Sequence, residues 1–125
     1  MDLGILAFGG YLPQSRLQRA EISKMHGWYN PGLKGLAKGE RTIANWDEDA
    51  ITMAVEASRD CLTGLDRSEI SAVFMASTSF PFDDRQNAGV VADALNLKSQ
   101  LMTLDLAASQ RAGSSGLSVA LQAAS

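Results

Sequence analysis

The stretch "DLAASQRAGSSGL", residues 105–117, decides the fold. It closes an apolar run, "LMTLDLA" (101–107), passes through a turn of small residues, and opens a helical pattern, "RAGSSGLSVALQAAS" (111–125). A strand–turn–helix junction aims one side chain over the helix start, where free N–H groups favour developing negative charge. A cysteine held there would have a lowered pKa and be a good nucleophile. The residue there is Gln110, which is not a nucleophile. Its neighbours Ala107, Ala108, Ala112, Gly113, Ser114, Ser115 and Gly116 are all small. Two readings fit that composition: a ligand or another chain approaches the backbone closely, or the helix packs tightly on its neighbours.

Upstream, "ISAVFMAST" (70–78) is a near-continuous apolar run to Ala76, the pattern of a strand buried on both faces. Between the two strands, "DDRQNAGVVADALNL" (83–97) is predicted as a helix started by Asp83 and Asp84. "WDEDAITMAVEASRDCLTG" (46–64) is the clearest helix. Asp47, Glu48 and Asp49 sit in its first turn, Ala50, Met53, Ala54, Ala57 and Cys61 recur at helical spacing, and Gly64 ends it. Ile51, Val55 and Leu62 widen the stripe. "LGILAFGGYLP" (3–13) reads as a strand over 3–8 and a turn. "SRLQRAEISKMHG" (15–27) reads as a helix with Ser15 as N-cap and Gly27 as its stop, and "WYNPGLKGLAKGERTIAN" (28–45) as a surface loop with a fragment of helix. The order β-α-α-β-α-β-α predicts an α/β fold with a mostly parallel sheet and helices on both faces.

The bulk numbers narrow the function. The chain has 125 residues, 46% of them hydrophobic and 20% charged, with net charge -3. That is one small domain able to bury a core. No basic stripe suggests nucleic acid, and no apolar run approaches a membrane span. The single cysteine, Cys61, excludes an internal disulfide and fits a reducing, cytoplasmic setting. On an apolar helix face it reads as a small hydrophobe. With His26 the only histidine, neither a zinc site nor a nucleophile–base pair is supported, so no metal is expected. Gly9 and Gly10 follow a predicted strand but lack the G-x-G-x-x-G spacing of a dinucleotide loop. Lys34, Lys38 and Arg41 are either ordinary solvated cations or a contact to the phosphates of a nucleotide-bearing ligand. The helical pattern at residues 116–125 has no stop signal, so the domain, residues 1–125, is expected to be an incomplete N-terminal domain.

An ordered set of segments carries a family resemblance: "GGYLPQSRLQRAEIS", "GERTIANWDEDAITMAVEAS", "ISAVFMASTSFPF", "NAGVVADALNL" and "DLAASQRAGSSGLSVALQAA". Together they resemble the thiolase superfamily, in the branch of 3-oxoacyl-acyl-carrier-protein synthase III and hydroxymethylglutaryl-CoA synthase. The resemblance implies the N-terminal half of an αβαβα fold and an acyltransferase of lipid metabolism. It implies no bound cofactor, with a coenzyme A or acyl-carrier-protein thioester as substrate. It also implies a homodimer, or a hetero-oligomer with a related subunit, in the cytoplasm. The family's nucleophilic cysteine lies five residues after the aspartate of its D-x-x-x-[AS]-C motif, and counting from Asp105 gives Gln110. A catalytic glutamate in the S-E-S stretch of the hydroxymethylglutaryl-CoA synthase branch corresponds to Thr78. The resemblance therefore puts Gln110 at the catalytic position, with the nucleophile replaced, and makes Thr78, Arg111, Gly113 and Arg41 substrate-binding candidates. An amide cannot form an acyl-enzyme, but it can hydrogen-bond an enolate. Two alternatives follow: a malonyl-thioester decarboxylase using Gln110, or a non-catalytic subunit paired with an active thiolase-like or acyl-binding partner.

Overall fold

The computed structural model describes residues 3–125. They fall into two compact units, Leu12–Glu48 and a larger one made of the chain up to Tyr11 together with Asp49–Ser125.

In the smaller unit, strand β1 (Ser15–Gln18) runs straight into helix α1 (Arg19–His26), and strand β2 (Glu40–Ile43) returns antiparallel to β1. Ser15 pairs with Ile43 and Gln18 with Glu40. Ser15 is thus a strand residue rather than the expected N-cap. The β1–β2 ladder claims residues 15–18, and the helix starts four residues later without a side-chain cap. Pairing with a distant strand outweighs a local capping preference here. The Gln18 amide donates to Glu40 Oε1 at 2.7 Å, and the Arg19 N–H donates to Gly39 O at 3.0 Å, where Gly39 (φ +80°) turns the chain into β2. Gly27 ends α1 as expected, its N–H donating to Ser23 O. Residues 31–36 form a 3-10 turn started by Pro31, the fragment of helix expected within this loop.

The larger unit carries helix α2 (Ala50–Cys61), strand β3 (Ala72–Ala76), helix α3 (Asn87–Ala94), strand β4 (Met102–Leu106) and helix α4 (Ala112–Ala123). α2 starts on a capping box. Asp49 Oδ1 accepts the Thr52 N–H at 2.9 Å, and Thr52 Oγ1 accepts the Asp49 N–H at 2.8 Å. The three acids therefore lie just before the helix, with Asp49 as cap, and not inside its first turn. β3 and β4 are parallel, from Ala72 opposite Met102 to Ala76 opposite Leu106, joined by α3 as the crossover. Alternate strand side chains go to opposite faces. Met75 joins Ile51 and Val55 of α2 and Ala88, Val91 and Leu95 in one core, while Ala76 and Leu106 meet Gly116 of α4. Helices thus cover both faces of the β3–β4 pair. Val91 and Leu95 are 3% and 2% exposed. Burial on that scale contributes about 1.5–3 kcal/mol per side chain, so this cluster anchors the unit.

Two expectations change. Residues 3–8 form no strand; Ile5, Leu6 and Phe8 are exposed, because no neighbouring strand among the described residues offers them a ladder. What anchors the segment is its glycine pair. The Gly10 N–H donates to Asp60 Oδ2 at 3.0 Å, and Gly9 lies directly on the backbone of α2. The second change concerns α3. It begins at Asn87, and Asp83 and Asp84 lie in the loop before it. The acid at its start comes from another element.

Candidate functional site

That acid is Asp105, in β4. Its Oδ2 accepts from the Asn87 backbone N–H at 2.7 Å and from Asn87 Nδ2 at 2.9 Å, and its Oδ1 accepts the Ala88 N–H at 2.8 Å. The two backbone N–H groups are orphan donors of the first turn of α3. Burial alone would raise the Asp105 carboxyl, but the hydrogen bonds from the Asn87 side chain and from the Ala88 and Asn87 backbone outweigh it and hold it below the ordinary carboxylate value. Asn87 is 1% exposed and fully engaged: its Oδ1 accepts the Phe82 N–H at 3.2 Å, and its Nδ2 also donates to Phe82 O at 3.0 Å.

Both parallel strands end at the same edge, where open α/β sheets place ligands. β3 continues into Ser77, Thr78 and Ser79, tied to β4 by the Ser77 N–H donating to Leu106 O at 3.1 Å. A cleft of about 730 Å³ opens there, lined by Thr78, Phe80, Phe82, Arg85, Asp105 and Ala107 among others. Arg85 lies over the Phe82 ring at 4.9 Å. Beyond Ala107 the backbone turns sharply, with Ala108 at φ +67°, a left-handed conformation costing an ordinary residue roughly 1–2 kcal/mol. This bend lets β4 feed α4 through Ser109, whose Oγ accepts the Arg111 N–H at 3.1 Å and whose carbonyl accepts the Ala112 N–H at 2.9 Å.

Gln110 sits on this bend, exposed, just before α4. The small residues around it divide into two sets. Ala112 and Gly116 are buried one turn apart, and a Cβ on Gly116 would come 3.1 Å from Ala76 Cβ, so this pair serves close packing of α4 on the sheet. Gly113, Ser114 and Ser115 are exposed, and a Cβ on Gly113 would meet nothing within 4 Å. Arg111 is exposed and makes no ion pair among the described residues. Thr78 lines the cleft, while Gln110, Arg111 and Gly113 are outside its lining. Arg41 belongs to the smaller unit, where it lines a separate hollow of about 170 Å³ with Arg19, Ile22, Ser23, Leu33 and Leu36. Cys61 is half-buried. Among the described residues no group of three or more His, Cys, Asp or Glu could hold a metal ion. Asn87 and Phe82 were not legible as site residues. The available signal was an asparagine at the first turn of an otherwise apolar helix, which demands a buried partner.

The fold has close counterparts among solved structures. A Cys-to-Ser variant of Xanthomonas campestris OleA with bound lauric acid and lauroyl-CoA matches with a TM-score of 0.83 over 98% of this chain and 39% of that one, at 20% identity. The 3-oxoacyl-(acyl carrier protein) synthase III FabH of Xanthomonas oryzae matches with a TM-score of 0.79 over 98% and 39%, at 19% identity. At these identities the likeness is one of fold, and the fold is thiolase-like. Among curated proteins the chain is 34% identical over 120 residues to the hydroxymethylglutaryl-CoA synthase of Archaeoglobus fulgidus, covering 94% of this chain and 35% of that protein. It is 34% identical over 120 residues to that of Methanosarcina mazei, covering 94% and 34%, and 35% identical over 116 residues to that of Aeropyrum pernix, covering 91% and 32%. The chain is thus hydroxymethylglutaryl-CoA synthase-like in sequence and thiolase-like in fold. It spans about a third of the length of these relatives. No family model matches it.

Proposed function

We propose that the chain is the N-terminal domain of an acyl-thioester-processing enzyme of the condensing type, with Gln110 standing where its relatives carry the nucleophilic cysteine. One observation carries the reading: the β4–α4 bend, with Ala108 at φ +67°, presents residue 110 at the start of a twelve-residue helix. The Gly113 and Ser114 N–H groups at that start have no hydrogen-bond acceptor among the described residues. They are suited to developing negative charge on a thioester carbonyl or an enolate. The substrate would be a thioester of coenzyme A or of acyl carrier protein, with no bound cofactor. In the cytoplasmic dimer or hetero-oligomer expected for the family, Thr78, Arg111 and Gly113 would contact the substrate.

Because an amide forms no acyl-enzyme, covalent ping-pong condensation through residue 110 is not part of this reading. Glutamine donates and accepts hydrogen bonds, which favours a second reading: decarboxylation of a malonyl thioester, with the Gln110 amide stabilising the enolate. The test is incubation of the full-length protein with acetyl-CoA and malonyl-CoA, following released thiol and carbon dioxide. Carbon dioxide release that disappears in Gln110→Ala establishes the decarboxylase. Condensation without acylated protein supports the first reading. No turnover and no thioester binding would leave the non-catalytic partner subunit as the function.

A further inference from the structure

The strand that runs into Gln110 also holds the far wall of the cleft, through a single carboxylate. Asp105 is opposite Met75 in the parallel ladder, so its backbone is fixed by both strands. Its side chain reaches across to α3 and takes three N–H groups there, one of them the amide of Asn87. Asn87 in turn grips Phe82 at both its N–H and its carbonyl. A continuous polar chain therefore runs from β4 through Asp105 and Asn87 to Phe82, and the cleft-lining residues 82–87 hang from it. Nothing else in the pattern demands a buried amide: Ala88, Val91 and Ala92 of the same helix are all buried apolar positions. A buried polar side chain with every group paired specifies one geometry.

We infer that Asp105 and Asn87 form a positioning pair, which sets the 82–87 wall of the cleft relative to the strand end that carries residues 107–110. Neither side chain need touch a substrate. The pair acts by fixing the width and shape of the cleft, so its loss should loosen one wall while leaving the β3–β4 ladder in place. The thioester arm of the test below rests on the proposed function; the exchange arm does not.

Three variants of the full-length protein test this: Asp105→Asn, Asn87→Asp and the double variant. Asp105→Asn keeps the shape but leaves one accepting oxygen where two now serve three N–H groups, and sets an NH2 donor against donors. Asn87→Asp sets two carboxylates at the 2.9 Å separation now spanned by a hydrogen bond and also turns an oxygen on the Phe82 carbonyl; the double variant relieves the first repulsion and not the second. Amide hydrogen exchange is read at Phe82, Asn87 and Ala88 and, separately, across 72–76 and 102–106. Exchange at the first set should rise about tenfold or more in Asp105→Asn, rise further in Asn87→Asp, and fall back in the double variant, with the ladder amides changing much less. Acetyl-CoA affinity, measured by calorimetry, should follow the same order. Uniform acceleration across wall and ladder would overturn the inference, since it marks a general stabilising contact. So would a wall that loosens with unchanged acetyl-CoA affinity. If the unsubstituted protein binds no acetyl-CoA, the proposed function fails and the exchange pattern alone decides the pair.

Discussion

Replacing Gly9 and Gly10 one at a time by alanine should give opposite results, although the two residues are neighbours. A Cβ on Gly9 would stand 2.6 Å from the Ala57 carbonyl oxygen and 2.7 Å from Cys61 Cα, and closer still to the Cys61 amide nitrogen. All three are backbone atoms of α2, so no side-chain rotation relieves the clash. The segment must lift by several tenths of an ångström or more to reach ordinary contact. Overpacking of this kind costs about 1–3 kcal/mol. Lifting also threatens the Gly10 N–H bond to Asp60 Oδ2, a charged acceptor, though its exposure limits the loss to about 1 kcal/mol. Gly9→Ala should therefore destabilise by about 3 kcal/mol. A Cβ on Gly10 meets nothing within 4 Å, and that residue's backbone is not in the left-handed region. Gly10→Ala should be neutral, or stabilising by about 0.4–1 kcal/mol through the unfolded chain. Urea unfolding of the purified protein, followed by circular dichroism, reads both. Equal effects within about 0.5 kcal/mol would refute the close approach to α2 and reopen the glycine pair as a ligand loop.

Removing the α2 capping box with Asp49→Ala should destabilise by about 1 kcal/mol in the same unfolding assay, with Asp47→Ala near zero, because only Asp49 accepts the Thr52 N–H. Acid should expose Asp105. Its folded-state pKa is depressed, so its contribution is fully present above the unfolded carboxylate value near 3.8 and is lost as pH falls through the folded value below that. Stability measured from neutral pH down through that range should drop less steeply in Asp105→Asn than in the unsubstituted protein; identical slopes would contradict the role given to its hydrogen bonds.

How far the sequence could be read depended on how local each cause was. α2 was legible because Asp49, the 3.6-residue repeat through Ile51 and Val55, and the closing turn at Gly64 all lie within one stretch. β3, β4 and their α3 crossover followed from apolar runs of the right length. The start of α1 was misread because Ser15 looks like a cap, and only the distant Glu40–Ile43 strand makes it a ladder residue. The acid serving α3 was misread for the same reason: Asp83 and Asp84 are adjacent in sequence, but Asp105 arrives from the following strand. Residues 3–8 have a strand's composition without a strand to pair with among the described residues. At the site, the bend before α4 was visible in its small residues. Their division between packing at Ala112 and Gly116 and open surface at 113–115 was not, because a helix's buried face depends on where it lies on the sheet.

The central claim is that the β4–α4 bend remains a nucleophile platform from which only the nucleophile has been exchanged. Gln110→Cys in the full-length protein, incubated with acetyl-CoA and read by intact-protein mass spectrometry, tests it most directly. The start of α4 should lower the thiol pKa and let the new cysteine attack. The account predicts an acetyl adduct on residue 110 that the unsubstituted protein lacks. A folded Gln110→Cys protein that binds acetyl-CoA yet takes up no acetyl group would contradict it.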